Sequence, residues 1–200
     1  MEDWVHRALA RWPNVPALYG WLALDRRGRW CIQGETISRP QIIDTLNSNY
    51  AADERGCWYF QNGPQRGYVT LARAPLLLRA EDDGSLWTHT GEAVSQIDAA
   101  YLDEGGGLWF ATALGAAALH EQDLPWALEQ MRIANKPVQE AALMAALALP
   151  SGSATPLVLH LGALRLPLTR LDENQAPAKL GFVRDPQPDQ QSQVQSQTKH

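Results

Sequence analysis

The pattern Trp-x-x-x-Gly-Glu-x-(Ile/Val)-Ser occurs twice in this chain, as Trp30-Cys31-Ile32-Gln33-Gly34-Glu35-Thr36-Ile37-Ser38 and as Trp87-Thr88-His89-Thr90-Gly91-Glu92-Ala93-Val94-Ser95. Each copy follows an acidic turn, Asp25-Arg26-Arg27-Gly28 or Glu81-Asp82-Asp83-Gly84. Each also precedes a second acidic turn that runs into an aromatic strand, Asp53-Glu54-Arg55-Gly56-Cys57-Trp58-Tyr59-Phe60 or Asp103-Glu104-Gly105-Gly106-Gly107-Leu108-Trp109-Phe110. The repeat covers most of residues 21–110. Two copies of one supersecondary unit can bury their apolar faces against each other, which constrains the architecture but names no reaction.

Burial is not limiting in a chain that is 45% apolar and 20% charged, a balance that excludes pervasive disorder and fibrous architectures. Eight tryptophans are unusual for 200 residues. Each carries a large apolar surface and one N–H that needs a partner, so they imply wide, shallow cores beneath sheets or an aromatic-lined groove, and the core is the default. A formal charge of -5 and the lack of a Lys/Arg stripe disfavour nucleic acid as a partner. The one basic cluster, Arg26-Arg27-Gly28-Arg29, reads as a solvated hairpin tip.

Cys31 and Cys57 stand without a CxxC or a histidine at ligand spacing, so no metal site, no cofactor and no disulfide framework is expected, and both should stay thiols in a reducing cytoplasm. Met1-Glu2-Asp3-Trp4 lacks the basic start of a secretory signal. The most apolar stretches, residues 111–119 and 141–149, are about half the roughly 20 residues that cross a bilayer, so no membrane span is expected.

Along the chain, Asp3 caps a short helix ending near Arg11, and Trp12-Pro13-Asn14-Val15-Pro16 forms a rigid lead-in. Hairpins are predicted over residues 20–24 and 29–33, over 56–61 and 65–71 around a type I′ Asn62-Gly63 turn, over 76–80 and 86–90, and over 108–112 and 116–120. A helix with a Ser38/Gln41 capping box runs to Asn49, a second runs from its Asp123 cap to Ile133, and an alanine-rich third covers 138–149. Strands at 156–161 and 163–168 follow. Residues 186–200, made of Pro, Gln, Asp, Ser and Thr, read as a disordered tail. The fold class is therefore α+β: mainly antiparallel sheets from two internal repeats, packed helices, and a C-terminal helix plus strand pair. The expected divisions are residues 1–72, 73–184 and a tail from 185.

Chemistry is sparse. Glu35 and Glu92 occupy equivalent positions and could share a proton or a cation, but a carboxylate after a strand and before a Ser more simply fixes a turn. His89 near Glu92 could act as a base, yet its counterpart is Ile32, which points to an inward, hydrogen-bonded strand position. His120-Glu121-Gln122-Asp123 lacks the second histidine of a zinc motif, and Gly105-Gly106-Gly107 precedes a strand rather than a helix, so it is no phosphate loop. The richest segment is Gln61-Asn62-Gly63-Pro64-Gln65-Arg66-Gly67-Tyr68. There Arg66 can clamp a carboxylate or phosphate in fork geometry, with Trp58, Tyr59 or Tyr68 as a flat wall and Asn62 and Gln65 as amide contacts. The bland alternative is a polar turn whose arginine is solvated or paired with Asp53 or Glu54.

The order of acidic turn, Trp-x-x-x-Gly-Glu-x-Ile, capped helix, second acidic turn with Trp-(Tyr/Phe), and a strand ending Ala74-Pro75-Leu76-Leu77 resembles small proteobacterial families classed as domains of unknown function. The resemblance spans residues 13–132, and its most distinctive strings are Trp12-Pro13-Asn14-Val15-Pro16, Gln61-Asn62-Gly63-Pro64-Gln65-Arg66 and Gly181-Phe182-Val183-Arg184. It implies a two-part α/β protein with a ligand-binding or signalling role, and it carries over no catalytic residue. The expectation is a non-enzymatic bacterial cytoplasmic protein that binds a small molecule or a protein partner. The alternatives are an enzyme using Glu35, Glu92 or His89, and a scaffold whose exposed strand edges pair into a homo-oligomer.

Overall fold

The acidic turns of the sequence are one structural device used four times. In the computed structural model, which describes residues 17–188, the N–H of Asp25, Asp53, Glu81 and Asp103 donates to the carbonyl four residues on, at Arg29, Cys57, Ser85 and Gly107. A turn carboxylate then takes the orphan N–H groups. Asp25 accepts from Arg29 N, Asp53 from Arg55 N and Cys57 N, Asp103 from Gly105 N and Gly107 N, and Asp83 from Ser85 N. Short acidic side chains favour turns by this local bonding. The helix expected over residues 3–11 and the lead-in after it lie outside the described residues, as does the tail from residue 189. Within the expected tail, Asp185 accepts a hydrogen bond from Thr70 Oγ1 and Pro186 is buried.

The chain is a sheet-rich α+β protein whose strands pair mainly antiparallel. It divides into two compact units. The first comprises Arg29–Ala72 with the described parts of Met1–Asp25 and Val183–His200; the second comprises Arg73–Phe182 together with Arg26–Gly28.

The first unit is a six-stranded sheet of β1 (Ala17–Leu24), β2 (Trp30–Ile32), β3 (Glu35–Thr36), β4 (Tyr50–Ala52), β5 (Trp58–Asn62) and β6 (Gln65–Leu71), in the order β3-β2-β1-β6-β5-β4. The pairing of β1 with β6 is parallel, and the register slips between Leu18 and Leu22, where Gly20 adopts a φ of 71°. Alternation places Leu22, Leu24, Trp30, Ile32, Phe60, Val69 and Leu71 on the buried face. Helix α1 (Pro40–Ser48) follows β3, and Trp30 Nε1 donates to Asn47 Oδ1 at 2.8 Å, tying strand to helix. The expected capping box is not formed. The N-cap is Arg39, without a side-chain cap, because Pro40 takes the first turn and places Ser38 outside the helix.

The Asn62-Gly63 turn is also corrected. Asn62 pairs with Gln65, so the two loop residues are Gly63 and Pro64, with positive φ at Gly63 alone. A turn centred on Asn62-Gly63 would need an N–H from Pro64 to close it, and proline has none. A type I′ dihedral pattern does occur at Gln33-Gly34, where both φ values are positive, 50° and 87°.

The second unit is a nine-stranded sheet ordered β13-β12-β14-β15-β9-β10-β11-β7-β8. Its strands are β7 (Leu76–Ala80), β8 (Leu86–Thr88), β9 (Ile97–Leu102), β10 (Leu108–Thr112), β11 (Gly115–Leu119), β12 (Met131–Ile133), β13 (Lys136–Pro137), β14 (Ala154–Leu161) and β15 (Leu164–Arg170). The pairs β7/β11 and β9/β15 are parallel. Helices α2 (Leu124–Gln130), α3 (Glu140–Leu147) and α4 (Ala176–Leu180) complete it. Two helices are shorter than expected. Asp123 is the N-cap residue of α2 as expected, but it closes the 3₁₀ turn Glu121–Asp123 and its carboxylate accepts from Arg79 and Ala80 N and not from the helix. Helix α2 stops at Gln130, since Met131–Ile133 pairs with β14 and β13. A helical stripe of Leu124, Leu128 and Met131 is expected from the spacing; Met131 is buried, but Leu128 is 43% exposed and the buried side chain of α2 itself is Ala127.

Four short strands, β3, β4, β12 and β13, and the six-residue β9 were not expected from the sequence. Of these, β12 and β13 flank Ala134-Asn135 with φ of 47° and 64°, the same two-residue turn as at Gln33-Gly34, and each hairpin leads into a helix.

Candidate functional site

In the first unit, pairing of β5 with β6 sets Tyr59 opposite Tyr68 and Gln61 opposite Arg66, on the sheet face opposite Val69 and Leu71, where Tyr68 is itself only 6% exposed. The parallel partner β1 adds Tyr19, stacked on Tyr68 with ring centroids 4.6 Å apart and planes within 4°. Tyr59 meets Tyr68 edge-on at 5.8 Å. Three phenols on three adjacent strands thus form one aromatic surface.

Two guanidinium groups cover it. Arg66 lies over the Tyr59 ring at 4.4 Å, and Arg55 over the Tyr68 ring at 5.7 Å. Arg55 donates to Asp53 Oδ2 at 3.0 Å, and the Tyr68 hydroxyl donates to the same oxygen at 3.2 Å. Burial pushes the Asp53 carboxyl up, but the N–H of Cys57 and the side chain and N–H of Arg55 outweigh it and hold the group below the usual carboxylate range. Arg66 donates from Nε to Gln61 Oε1 at 3.4 Å, and a hydrogen bond with Tyr68 raises its pKa further. These side chains line a cleft of about 490 Å³ with Ala52, Asp53, Glu54, Arg55, Tyr59, Arg66 and Tyr68 on its walls.

Of the residues singled out in sequence, Arg66 and Tyr68 line this cleft. Asn62 and Gln65 flank the turn beyond it, where Gln61 Nε2 donates to the carbonyls of Gly63 and Gln65. Trp58 points to the other face of the sheet, 7% exposed and packed on Tyr50 at 4.7 Å. The partner of Asp53 is Arg55, two residues along its own turn, rather than Arg66. Sequence reading missed Arg55, although the Asp-x-Arg spacing on a turn was visible. Tyr19 left no local signal, because only the parallel pairing of Ala17 with Arg66 brings β1 beside β6.

The corresponding turn of the second unit is closed. Asp103 Oδ2 accepts from Trp109 Nε1 at 2.8 Å and from Arg73 at 3.2 Å, with both ions 4% exposed. Arg73 lies 5.0 Å over the Trp109 ring, and Phe182 stacks on that ring at 6.4 Å. Desolvation lowers the Arg73 pKa against the pull of Asp103. A methyl group at Gly107 would collide with Arg73 and Asp103, so only glycine fits there.

The other sequence candidates are dispersed. Glu35 belongs to the first unit and Glu92 to the second, each exposed on its turn. His89 accepts the Leu77 N–H at Nδ1, 3.3 Å away, and burial pushes its pKa down to about 4. It is a neutral structural acceptor. Among the described residues, no group of three His, Cys, Asp or Glu side chains is close enough to hold a metal ion, no helix is long and apolar enough to cross a membrane, and neither cysteine is in a disulfide.

The chain matches the model of family DUF2944, described as "Protein of unknown function (DUF2946)", over residues 1–187, and it belongs to that family. Among solved structures it is similar to a DUF1285 family protein from Silicibacter pomeroyi DSS-3, at 13% identity and a TM-score of 0.52, over 82% of this chain and 93% of that one. At that identity the likeness is one of fold. A DUF1285 family protein from Shewanella baltica OS155 also matches, at 13% identity and a TM-score of 0.40, over 52% of this chain and 86% of the other. No curated protein matches.

Proposed function

We infer that this member of the DUF2944 family is a non-enzymatic bacterial binding protein, working in the cytoplasm and serving a signalling role, whose first unit takes up a small carboxylate- or phosphate-bearing ligand. The observation that carries the reading is the open cleft in which Arg55 lies over Tyr68 and Arg66 over Tyr59, with Tyr19 stacked on Tyr68. Planar guanidinium groups match the oxygens of such anions in fork geometry, and tyrosine faces support a flat ligand at low conformational cost. Asp53 keeps Arg55 in place, so Arg66 is the group assigned to the ligand anion. The shared strand order, β2-β1-β6-β5-β4 in one unit and β8-β7-β11-β10-β9 in the other, fits descent from one duplicated element. On that view the first copy kept its aromatic face open while the second filled it with Arg73 and Phe182.

Native mass spectrometry of the chain purified from its own host, beside Arg66→Gln prepared in the same way, tests the reading. A retained small molecule in the wild type that is lost from R66Q is the expected result. A bare 22.1 kDa chain in both samples counts against it.

A further inference from the structure

A second concave surface lies wholly within the larger unit. Strands β12, β14 and β15 pair so that Arg132 opposes Val158, and His160, two residues further along β14, opposes Arg165. The period of two puts Arg132, His160 and Arg165 on one face. With Trp126 from α2 and the Asp82-Asp83-Gly84 turn they line a cleft of about 340 Å³.

The two arginines are held in an uncommon way. One terminal nitrogen of Arg132 donates to the carbonyls of Glu129 and Met131, and one of Arg165 to those of Gly162 and Leu164. A guanidinium has five N–H donors, and these bonds engage a single nitrogen of each. Neither arginine forms an ion pair among the described residues, although two carboxylates line the same cleft. Asp83 instead accepts from Ser85 N in its own turn. Desolvation and the nearby positive charges of Arg165 and Arg132 lower the His160 pKa, which leaves a neutral ring able to donate one hydrogen bond.

We propose that this cleft binds the phosphate group of a small phosphomonoester, with Arg132 and Arg165 gripping its oxygens, His160 donating to it and Trp126 supporting the uncharged remainder of the ligand. A phosphomonoester brings roughly -1.5 to -2 charges and three acceptor oxygens to one point, which suits two forks carried on the strands either side of β14 better than the single charge of a carboxylate. Asp82 and Asp83, which line the same cleft, repel a second phosphate. The site therefore selects a ligand with one anionic end and rejects polyanions. It shares no residue with the Arg66 cleft of the first unit.

Phenyl phosphate is the probe, titrated into the full chain while the His160 ring resonances are followed by NMR and tryptophan fluorescence is recorded. The expected result is a saturable shift of His160 together with quenching of tryptophan fluorescence, and affinity read at the His160 ring weakened roughly tenfold or more in both R132Q and R165Q. Benzoate at the same concentration should leave His160 unmoved. Arg165→Lys, which keeps the charge and loses the planar fork, should bind more weakly than wild type while giving an equally dispersed spectrum. The proposal is overturned if phenyl phosphate causes no saturable shift at millimolar concentration, if R132Q and R165Q bind it as wild type does, or if benzoate binds equally well.

Discussion

His89 shows how one buried side chain sets a pH limit on this fold. Its Nδ1 accepts the Leu77 N–H, and burial lowers its pKa from 6.5 to about 4. The unfolded chain therefore binds a proton at His89 more readily than the folded one. The contribution of this group is fully present above pH 6.5, is lost progressively as pH falls toward about 4, and amounts to about 3 kcal/mol at most. Replacing His89 by isoleucine, the residue at the matching position of the first Trp-x-x-x-Gly-Glu string, should flatten the dependence of unfolding free energy on pH across that window. Urea titrations at several pH values measure it, and an unaltered slope in H89I would assign the acid sensitivity to other groups. The hydrogen-bonded role of His89 was legible in sequence from the match between the two Trp-x-x-x-Gly-Glu strings, but the residue as a whole sits half-buried in the turn after β8 and not inward on the strand. Its bonding partner was not legible, since Leu77 lies on the neighbouring strand.

At the scale of elements, the helices start without help from their caps. Gln139 precedes α3 with extended dihedrals and makes no side-chain cap hydrogen bond. Gln139→Asp should therefore raise stability by about 1 kcal/mol, because aspartate accepts from the orphan N–H groups of the first turn and favours the positive end of the helix dipole. Thermal unfolding of Q139D decides this, and an unchanged or lower Tm would show that the extended cap geometry does not bring the carboxylate to those groups. Hairpins with acidic Gly-terminated turns were legible because their information is local: a carboxylate, a glycine with positive φ, and alternating apolar residues. The two- and three-residue strands β3, β4, β12 and β13 carry too few side chains for a period of two to show. Their existence depends on a partner edge such as Tyr59 beside Ala51 or Val158 beside Arg132. Pro64 moved the β5–β6 turn by one residue for a reason that was present in the sequence, the N–H it lacks.

At the scale of the molecule, the first unit is closed by residues more than a hundred positions away from its strands. Leu71 N donates to Arg184 O at 2.7 Å, and Val183 N donates to Gly56 O at 3.0 Å. A chain ending at Phe182 loses both bonds, which at the usual net value per hydrogen bond removes roughly 2 kcal/mol from that unit. Amide exchange should then quicken at Leu71 and along β6, while β9, β10 and β11 keep their protection. Equal protection of Leu71 in the full and shortened chains would show that residues 183–184 are dispensable. What the sequence by itself determined are the acidic turns, the hairpins and an α+β class with two similar strand motifs, since all of these rest on contacts within a few residues. It also singled out Arg66 and Tyr68, which the structure places in the lining of one cleft. The tertiary structure alone decided that β1 runs parallel beside β6 and brings Tyr19 onto Tyr68, that Asp53 holds Arg55 over that ring while Asp103 buries Arg73, and that Arg132, His160 and Arg165 share a face. Such juxtapositions depend on strand order and register, which are settled by the packing of whole sheets and leave no trace in the local pattern of residues.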